Sequence, residues 1–459
     1  MELFKVRVQD LGRIKAAELT IRPLTIFCGP NNTNKTWTAY AIYGLAQRLS
    51  QWAEVWHPGS VKSVADTISV KDVVDATTAN QGLLARIDDE VTRFRELAVR
   101  SRPDTRFVHE VDRSDLTRRV PHPVAIGIGA AGLSQLIGAP VADVGGASVL
   151  LEIGSRRFAS PLSQRVSLMF RKGELSLFSA KFDNLSANFD LGRFDYNRLA
   201  EDYVRPAIEI LVFGILGRTT AFPAERKLIH LVAREVEFDE FSSLALPLRT
   251  YATFIKKDLR RNESREGRDG ILTAFERLLG GRIEVVGDGA ERTLVFRFAE
   301  DRILPLSAAS SLVRSMAGLY RYLATVAKTG DFVIIDEPEM NAHPEAQLMI
   351  AELLGILVRQ GINVLVTTHT PYIVDHVNNL MEADRVPAGK KEAVRESFNF
   401  GTDGFVPTKD VAVYVFGEDG RVTDAVDRRR RIIDWSTFGR ASDRVTNLYS
   451  EVLEAARQE

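Results

Sequence analysis

The chain has 459 residues, 45% of them hydrophobic and 26% charged, and its 60 Lys and Arg almost cancel its 61 Asp and Glu. Such a length suits two or three domains, or one large domain with an insertion; the balanced charge excludes a polybasic tail protein and an acidic disordered chain, though not a local basic patch. A single cysteine, Cys28, excludes an intrachain disulfide framework and a cysteine-rich zinc site, and points to a reducing, cytoplasmic setting.

The opening MELFKVRVQD lacks the apolar core of a secretory leader. No stretch nears the roughly 18 uninterrupted apolar residues of a membrane span, so no membrane partner is expected. Residues 3–8 and 14–21 alternate apolar and polar side chains, as half-buried strands do, and 24–28 is a short apolar run, as for a strand buried on both faces. A helix is predicted over 37–49. Between 51 and 300 the pattern is mixed. Leu84, Ile87, Val91, Phe94 and Leu97 have helical spacing over 81–100, and 124–154 is rich in Gly and Ala. A meander of short strands is predicted over 166–190, and helices over 199–216 and 226–259, the second broken at Pro247. A hairpin is predicted over 282–298, turning at Gly287 and Gly289. Residues 301–385 read helix, strand, helix, strand; the rest adds a strand over 411–416 and a final helix over 442–457. Four segments are expected: 1–50 and 301–385 as two parts of one α/β unit, 51–300 as an inserted helical or mixed lobe that also returns strands to it, and 386–459 as a C-terminal extension.

The turn after 24–28 reads Gly29, Pro30, Asn31, Asn32, Thr33, Asn34, Lys35, Thr36. A phosphate-binding loop needs inward backbone N–H groups, a lysine for the outer phosphates and a hydroxyl for magnesium. Lys35 and Thr36 suit the last two roles, and the helix start adds its positive dipole end. Asn34 stands where the pattern G-x-x-x-x-G-K-[ST] has its second glycine, an exchange Asn tolerates because it adopts left-handed dihedrals more readily than most residues. A plain Gly-Pro-Asn-Asn turn is the alternative.

Phe332, Val333, Ile334 and Ile335 form a buried-strand run that ends in Asp336, Glu337, Pro338 and Glu339. The first acid suits a magnesium ion, usually through water, and the second suits polarising an attacking water. Residues 364–368 form another such run, ending at His369, with room for a crossover helix over 344–359 between the two. In an open parallel sheet ligands sit at the carboxyl ends of strands, so His369 would share an edge with Glu337 and Lys35, where it can contact a terminal phosphate or orient the acid. Solvated acids capping a strand and a structural histidine are the alternatives.

Together the loop 29–36, residues 334–339 through His343 and Pro344, and residues 367–371 resemble an ABC-type ATPase head, and more narrowly the OLD-like and SMC/RecF-like group of AAA-family ATP-binding proteins. The opening, from Phe4 through Gly12, Ile14 and Leu24 to Asn32, matches that group's first strands. The resemblance implies an α/β fold with a mostly parallel central sheet, an N-terminal antiparallel subsheet and an inserted compact lobe. It implies ATP and Mg2+ as cofactors, with ATP on residues 29–36, the metal at Thr36 and Asp336, and Glu337 and His369 in catalysis.

In such heads a signature sequence caps the nucleotide of the partner subunit, so a head-to-head homo-oligomer is implied. The matching stretch carries Ser307, Ser310 and Ser311, with Leu312 where the usual glycine stands. The same serines suit an ordinary N-cap on the helix of Val313, Met316, Leu319, Tyr320 and Leu323. Asn341 falls on the D-loop, at the implied dimer interface. Residues 222–226 resemble a Pro-Ala-Glu-Arg element of some defence-associated ATPases, in which Arg226 suits a phosphate, the partner head or a structural ion pair.

Pro103, Pro121, Pro123, Pro140, Pro161, Pro206 and Pro247 interrupt the middle of the chain, against the long coiled coil of chromosome-maintenance heads. Residues 370–459 are too few for the Toprim nuclease that follows the ATPase in the OLD family. The run Arg428, Arg429, Arg430, Arg431 suits a solvated surface or a nucleic-acid contact, without interleaved aromatics for stacking. The resemblance thus implies an ATP-hydrolysing switch that controls a separate effector, such as a nuclease or toxin, in prokaryotic anti-phage defence, as in PARIS. A RecF-like repair or recombination ATPase with DNA as partner, and a weakly hydrolysing scaffold that sequesters a toxin, are the alternatives.

Overall fold

The computed structural model describes residues 2–48, 78–100, 107–112, 124–153, 165–171, 174–179, 185–188, 204–205, 208, 216–226, 244–261, 263, 267–288, 292–401, 404–434 and 447–449. The alternating N-terminal stretches form an antiparallel ribbon, β1 (Phe4–Leu11) and β2 (Ile14–Ile21), with Phe4 opposite Ile21. Phe4, Val6, Val8 and Leu11 are buried while Lys5, Arg7 and Gln9 face out, which fixes the register. The apolar run becomes β3 (Leu24–Cys28), buried throughout. Helix α1 (Lys35–Arg48) begins at Lys35 rather than at 37, because the Thr38 N–H already donates to the Asn34 carbonyl at 3.0 Å.

Helix α2 (Thr78–Arg100) buries Ile87, Val91 and Phe94, but Leu97 is 40% exposed. Strands β4 (Phe107–Asp112), β5 (Val124–Gly129), helix α3 (Ala130–Ile137) and β6 (Ser148–Ile153) follow, then the expected meander as β7 (Arg165–Arg171), β8 (Glu174–Ser179) and β9 (Leu185–Asn188). Strand β10 (Thr219–Phe222) has no counterpart in the sequence reading; four residues are too few to show a period. Pro247 starts helix α4 (Leu246–Asp258) rather than breaking one, since the first turn has no use for its missing N–H. The helices expected over 199–216 and 442–457, and residues 227–243 of the one expected over 226–259, lie mostly outside the described residues.

Helix α5 (Asp269–Leu279) leads into an antiparallel sheet of β11 (Gly281–Val286), β12 (Thr293–Phe298) and β13 (Ile303–Pro305), the predicted hairpin with one more strand. Then come α6 (Ser311–Thr325), β14 (Phe332–Asp336), α7 (Pro344–Arg359), β15 (Asn363–Thr368), α8 (Pro371–Asp384), α9 (Ala388–Arg395), β16 (Val411–Phe416), β17 (Val422–Asp424), β18 (Val426–Asp427) and β19 (Ile432–Ile433).

The fold is α/β. A mixed, mostly parallel sheet has the order β10-β14-β15-β3-β16-β17, and a separate antiparallel sheet has the order β2-β1-β6-β5. Strands β4, β7, β8 and β9 form a third, antiparallel sheet. The central strands alternate between two cores. Phe27, Phe332, Ile334 and Leu365 pack with the antiparallel sheet and α1. Ile26, Val333, Ile335 and Val366 pack with α4 to α8. With both faces covered, these strands read as continuous apolar runs rather than as alternation.

The second layer contains a buried carboxylate, Glu352 of α7. It accepts hydrogen bonds from His376 Nε2 of α8 (3.1 Å), Asn399 N and Nδ2 (3.0 and 2.8 Å) and Phe400 N (3.1 Å). Burial pushes its carboxyl up, but the bonds from His376, Asn399 and Phe400 outweigh it and hold the group below its ordinary 4.5. Glu352→Gln should cost about 2 kcal/mol of unfolding free energy near neutral pH, because an amide offers donors where the segment offers donors. A lowered folded pKa contributes stability that is present above the unfolded value and lost as pH falls through the folded one. Denaturant unfolding should therefore show the gap between wild type and variant narrowing below pH 4.5; a gap that does not change with pH would remove Glu352 from this role.

Candidate functional site

Parallel register brings the ends of four strands together. Phe222 lies beside Ile335, Asp336 beside Thr367, and Thr368 beside Cys28. The loop 29–34 leaves this edge and enters α1. Gly29 has φ +138, and a Cβ there would run into the Phe416 carbonyl, so the loop's first position needs glycine. Asn32 and Asn34 are also left-handed, at φ +60 and +66. The Asn34 side chain has a second use: its Oδ1 accepts the Arg13 N–H at 2.9 Å, and it packs where a Cβ on Gly12 would stand. The departure from glycine therefore fastens the loop to the β1–β2 turn.

Lys35 Nζ donates to the carbonyls of Gly29 (2.9 Å) and Pro30 (2.6 Å), to Thr33 Oγ1 (3.3 Å), and lies 3.4 Å from His369 Nδ1. Burial lowers its ammonium to about 8, although Glu337 and Asp336 pull it upward. Thr36 Oγ1 donates to Asp336 Oδ1 at 3.0 Å. Thr367 Oγ1 also reaches Asp336 Oδ1, and Tyr40 OH reaches Oδ2 at 3.2 Å. Burial pushes the Asp336 carboxyl up, against the bonds from Thr367 and Thr36. A hydroxyl and a carboxylate oxygen in contact at a helix start form a donor set that fits a hard divalent cation such as Mg2+.

Glu337 has φ +46, and its N–H donates to the Thr367 carbonyl and hydroxyl, both at 3.1 Å. Its Oε1 lies 2.8 Å from His369 Nε2, and that bond leads in holding the Glu337 carboxyl below its ordinary value. His369 thus stands between Lys35 and Glu337. Its backbone N–H donates to Glu339 Oε1 at 2.9 Å, as does Thr368 Oγ1 at 2.6 Å.

Hydrogen bonds therefore link Lys35, His369 and Glu337 in one chain and Thr36 with Asp336 in a second, and the two lie side by side because 35 and 36, and 336 and 337, are neighbours in sequence. Ser307, Ser310 and Ser311 stand apart at the start of α6. Ser310 Oγ accepts the Val313 N–H at 3.3 Å as an N-cap, while Arg314 donates to the Ser307 carbonyl and Ser311 Oγ. Among the described residues no hydrogen bond joins these serines to residues 29–36 or to the acids. Asn341 is exposed, at φ +65. Arg226, which in sequence suits a phosphate, the partner head or a structural ion pair, is buried and donates to carbonyl groups and to Ser315 Oγ. Arg428 and Arg430 are paired with Asp424 and Asp427 at an exposed turn, so acids offset part of the basic run.

Glu339 and Thr367 fall within the sequence motifs without a role of their own, and Tyr40 lies outside them. Tyr40 had a signal, since it sits four residues from Thr36 on one helix face. Thr367 is visible only once β14 and β15 are in register.

Residues 233–374 match the family model described as AAA ATPase domain, a span that holds α6, the acids and His369 but not the loop 29–36. The chain is similar in structure to an SmcHead bound to the C-winged helix domain of ScpA, at 10% identity and a TM-score of 0.35, covering 92% of this chain and 97% of that one. It is also similar to the SMC head domain from Thermotoga maritima, at 9% identity and a TM-score of 0.29, covering 82% and 92%. A third is an Smc head domain with an extended coiled coil bound to the C-terminal domain of ScpA, derived from Pyrococcus furiosus, at 11% identity and a TM-score of 0.35, covering 92% and 96%. No curated protein matches the chain. Among the described residues no helix is long and apolar enough to cross a membrane.

The dual use of Asn34 is testable by thermal unfolding. Asn34→Ala should cost about 1–2 kcal/mol, because alanine is strained in the left-handed region and the Arg13 N–H loses its acceptor. Asn34→Gly keeps the dihedral and should cost clearly less. Equal losses in the two variants would show that the dihedral carries no weight.

Proposed function

We propose that the chain is an ATP-binding and hydrolysing switch whose heads associate around nucleotide and whose cycle controls a separate effector. The observation that carries the reading is the joined set Lys35–His369–Glu337 and Thr36–Asp336 at the carboxyl edge of a parallel sheet, beside a loop that opens a helix. The loop N–H groups and Lys35 would bind the phosphates of ATP. Thr36 and Asp336 would hold Mg2+, which when bound offsets the phosphate charge. Glu337, kept ionised by His369, can accept a proton from the attacking water, and His369 keeps the carboxylate aimed. The match of residues 233–374 to an AAA ATPase domain supports the same chemistry.

Ser307, Ser310, Ser311 and Asn341 would contact the nucleotide and head of a second copy. The defence setting, with a nuclease or toxin as effector and no cleavage by this chain itself, rests on the sequence resemblance and on the Pro-Ala-Glu-Arg element. A RecF-like role predicts instead that DNA stimulates turnover, and ATPase rates with and without DNA separate the two.

Lys35→Ala should abolish Mg-ATP binding in calorimetry, since its ammonium, held inside the loop by the Gly29 and Pro30 carbonyls, would be the charged donor to the phosphates; retained affinity would overturn the loop assignment. Glu337→Gln should bind Mg-ATP normally, lose turnover by at least about a hundredfold, and shift to a dimer on a sizing column when ATP is present. Normal turnover in that variant would remove Glu337 from the mechanism.

A further inference from the structure

Arg226 is a large charged side chain with only 1% exposure. Burying a guanidinium is costly, and the usual compensation is a carboxylate partner. Here the acceptors are different. Nε donates to the Ser315 carbonyl at 2.7 Å. Nη1 donates to the carbonyls of Pro223 at 3.0 Å and Asp336 at 2.6 Å. Nη2 donates to Ser315 Oγ at 3.1 Å and the Glu337 carbonyl at 3.0 Å. All three nitrogens are used, and the acceptors belong to three segments: the end of β10, the middle of α6 and the end of β14.

Two of those acceptors are the carbonyls on either side of the Glu337 Cα. Glu337 is left-handed at φ +46, a conformation that a glutamate does not hold without outside support. Thr367 holds its N–H from one side, and Arg226 holds the two carbonyls from the other. That backbone sets where the Glu337 carboxylate points, 2.8 Å from His369 Nε2. Ser315, which takes two of the five bonds, is one turn beyond Ser311 on α6 and fixes the guanidinium in place.

We propose that Arg226 is the positioning residue for hydrolysis: anchored on α6, it locks the backbone of Glu337 in the conformation that aims the carboxylate. This rests on the ATPase reading above. A planar fork is required, because a lysine has one nitrogen and cannot reach all five acceptors.

Arg226→Lys keeps the charge and loses the fork. Steady-state ATPase assays should show kcat falling at least about tenfold, with KM and Mg-ATP affinity within about twofold of wild type, because none of the Arg226 bonds reaches residues 29–36 and the one to Asp336 takes its backbone carbonyl, not the carboxylate beside Thr36. Arg226→Ala should lose kcat similarly, and guanidinium ion, at concentrations below those that unfold the protein, should restore part of it where ammonium ion does not. A residue that only stabilises the fold would lower Tm without this split and without rescue. Should Arg226→Ala fail to fold, Arg226→Lys, checked by thermal unfolding, decides alone. Wild-type kcat in Arg226→Lys, a loss of affinity instead of kcat, or a folded Arg226→Ala that guanidinium leaves inactive would each overturn the inference and leave the ATPase reading standing. No turnover in the wild type, with Lys35→Ala and Glu337→Gln as controls, would overturn both.

Discussion

Asp336 is a carboxylate with 2% exposure at the end of a strand whose other residues are apolar. A charge there costs several kcal/mol unless hydrogen bonds replace water, and here they come from three hydroxyls, Thr36 and Tyr40 on α1 and Thr367 on β15. Those hydroxyls reach it only because β3, β15 and β14 are adjacent, parallel and in one register. A slip of one residue in β14 would turn Asp336 away from Thr367 and exchange its two apolar faces. Satisfying this group and filling both cores therefore require the same alignment.

Around that point the charges are kept apart by environment. Glu337 is half-buried beside His369 and Lys35, and the His369 bond keeps it ionised. Glu339, two residues on, is buried, and burial pushes its carboxyl toward the neutral form. Against that push it accepts the Thr368 hydroxyl and the His369 N–H, which favour its charged form. Cys28, next to the loop, is pushed up to about 12 by burial and stays an inert thiol.

The N-terminal ribbon does more than cover one core. Its turn at Gly12 and Arg13 holds the Asn34 side chain, so the loop is fixed at its strand end by Gly29 against Phe416 and at its helix end by Asn34. Tyr414 of β16 reaches the same ribbon, accepting the Thr20 N–H at 2.6 Å. The loop that would carry phosphate is thereby held from the antiparallel layer as well as from the parallel sheet.

Local pattern was enough for much of this. The short apolar runs of β3, β14 and β15, the loop 29–36, the acids at 336 and 337 and the histidine at 369 are each contiguous in sequence, so composition and spacing expose them. Tertiary structure alone decided their companions. Thr36 meets Asp336 across 300 positions of sequence, Tyr40 across 296 and Arg226 across 110, and no local period records such contacts. The four residues of β10 carry too little alternation to announce a strand, yet their place at the edge of the parallel sheet delivers Arg226 beneath the acids. Asn34 in the glycine position reads as a tolerated exchange along the chain and as a tether in space, because its partner Arg13 is brought to it by the antiparallel ribbon. Sequence sets what each segment can do alone; register and burial decide which segments meet, since only the packed sheet brings distant donors within hydrogen-bond reach.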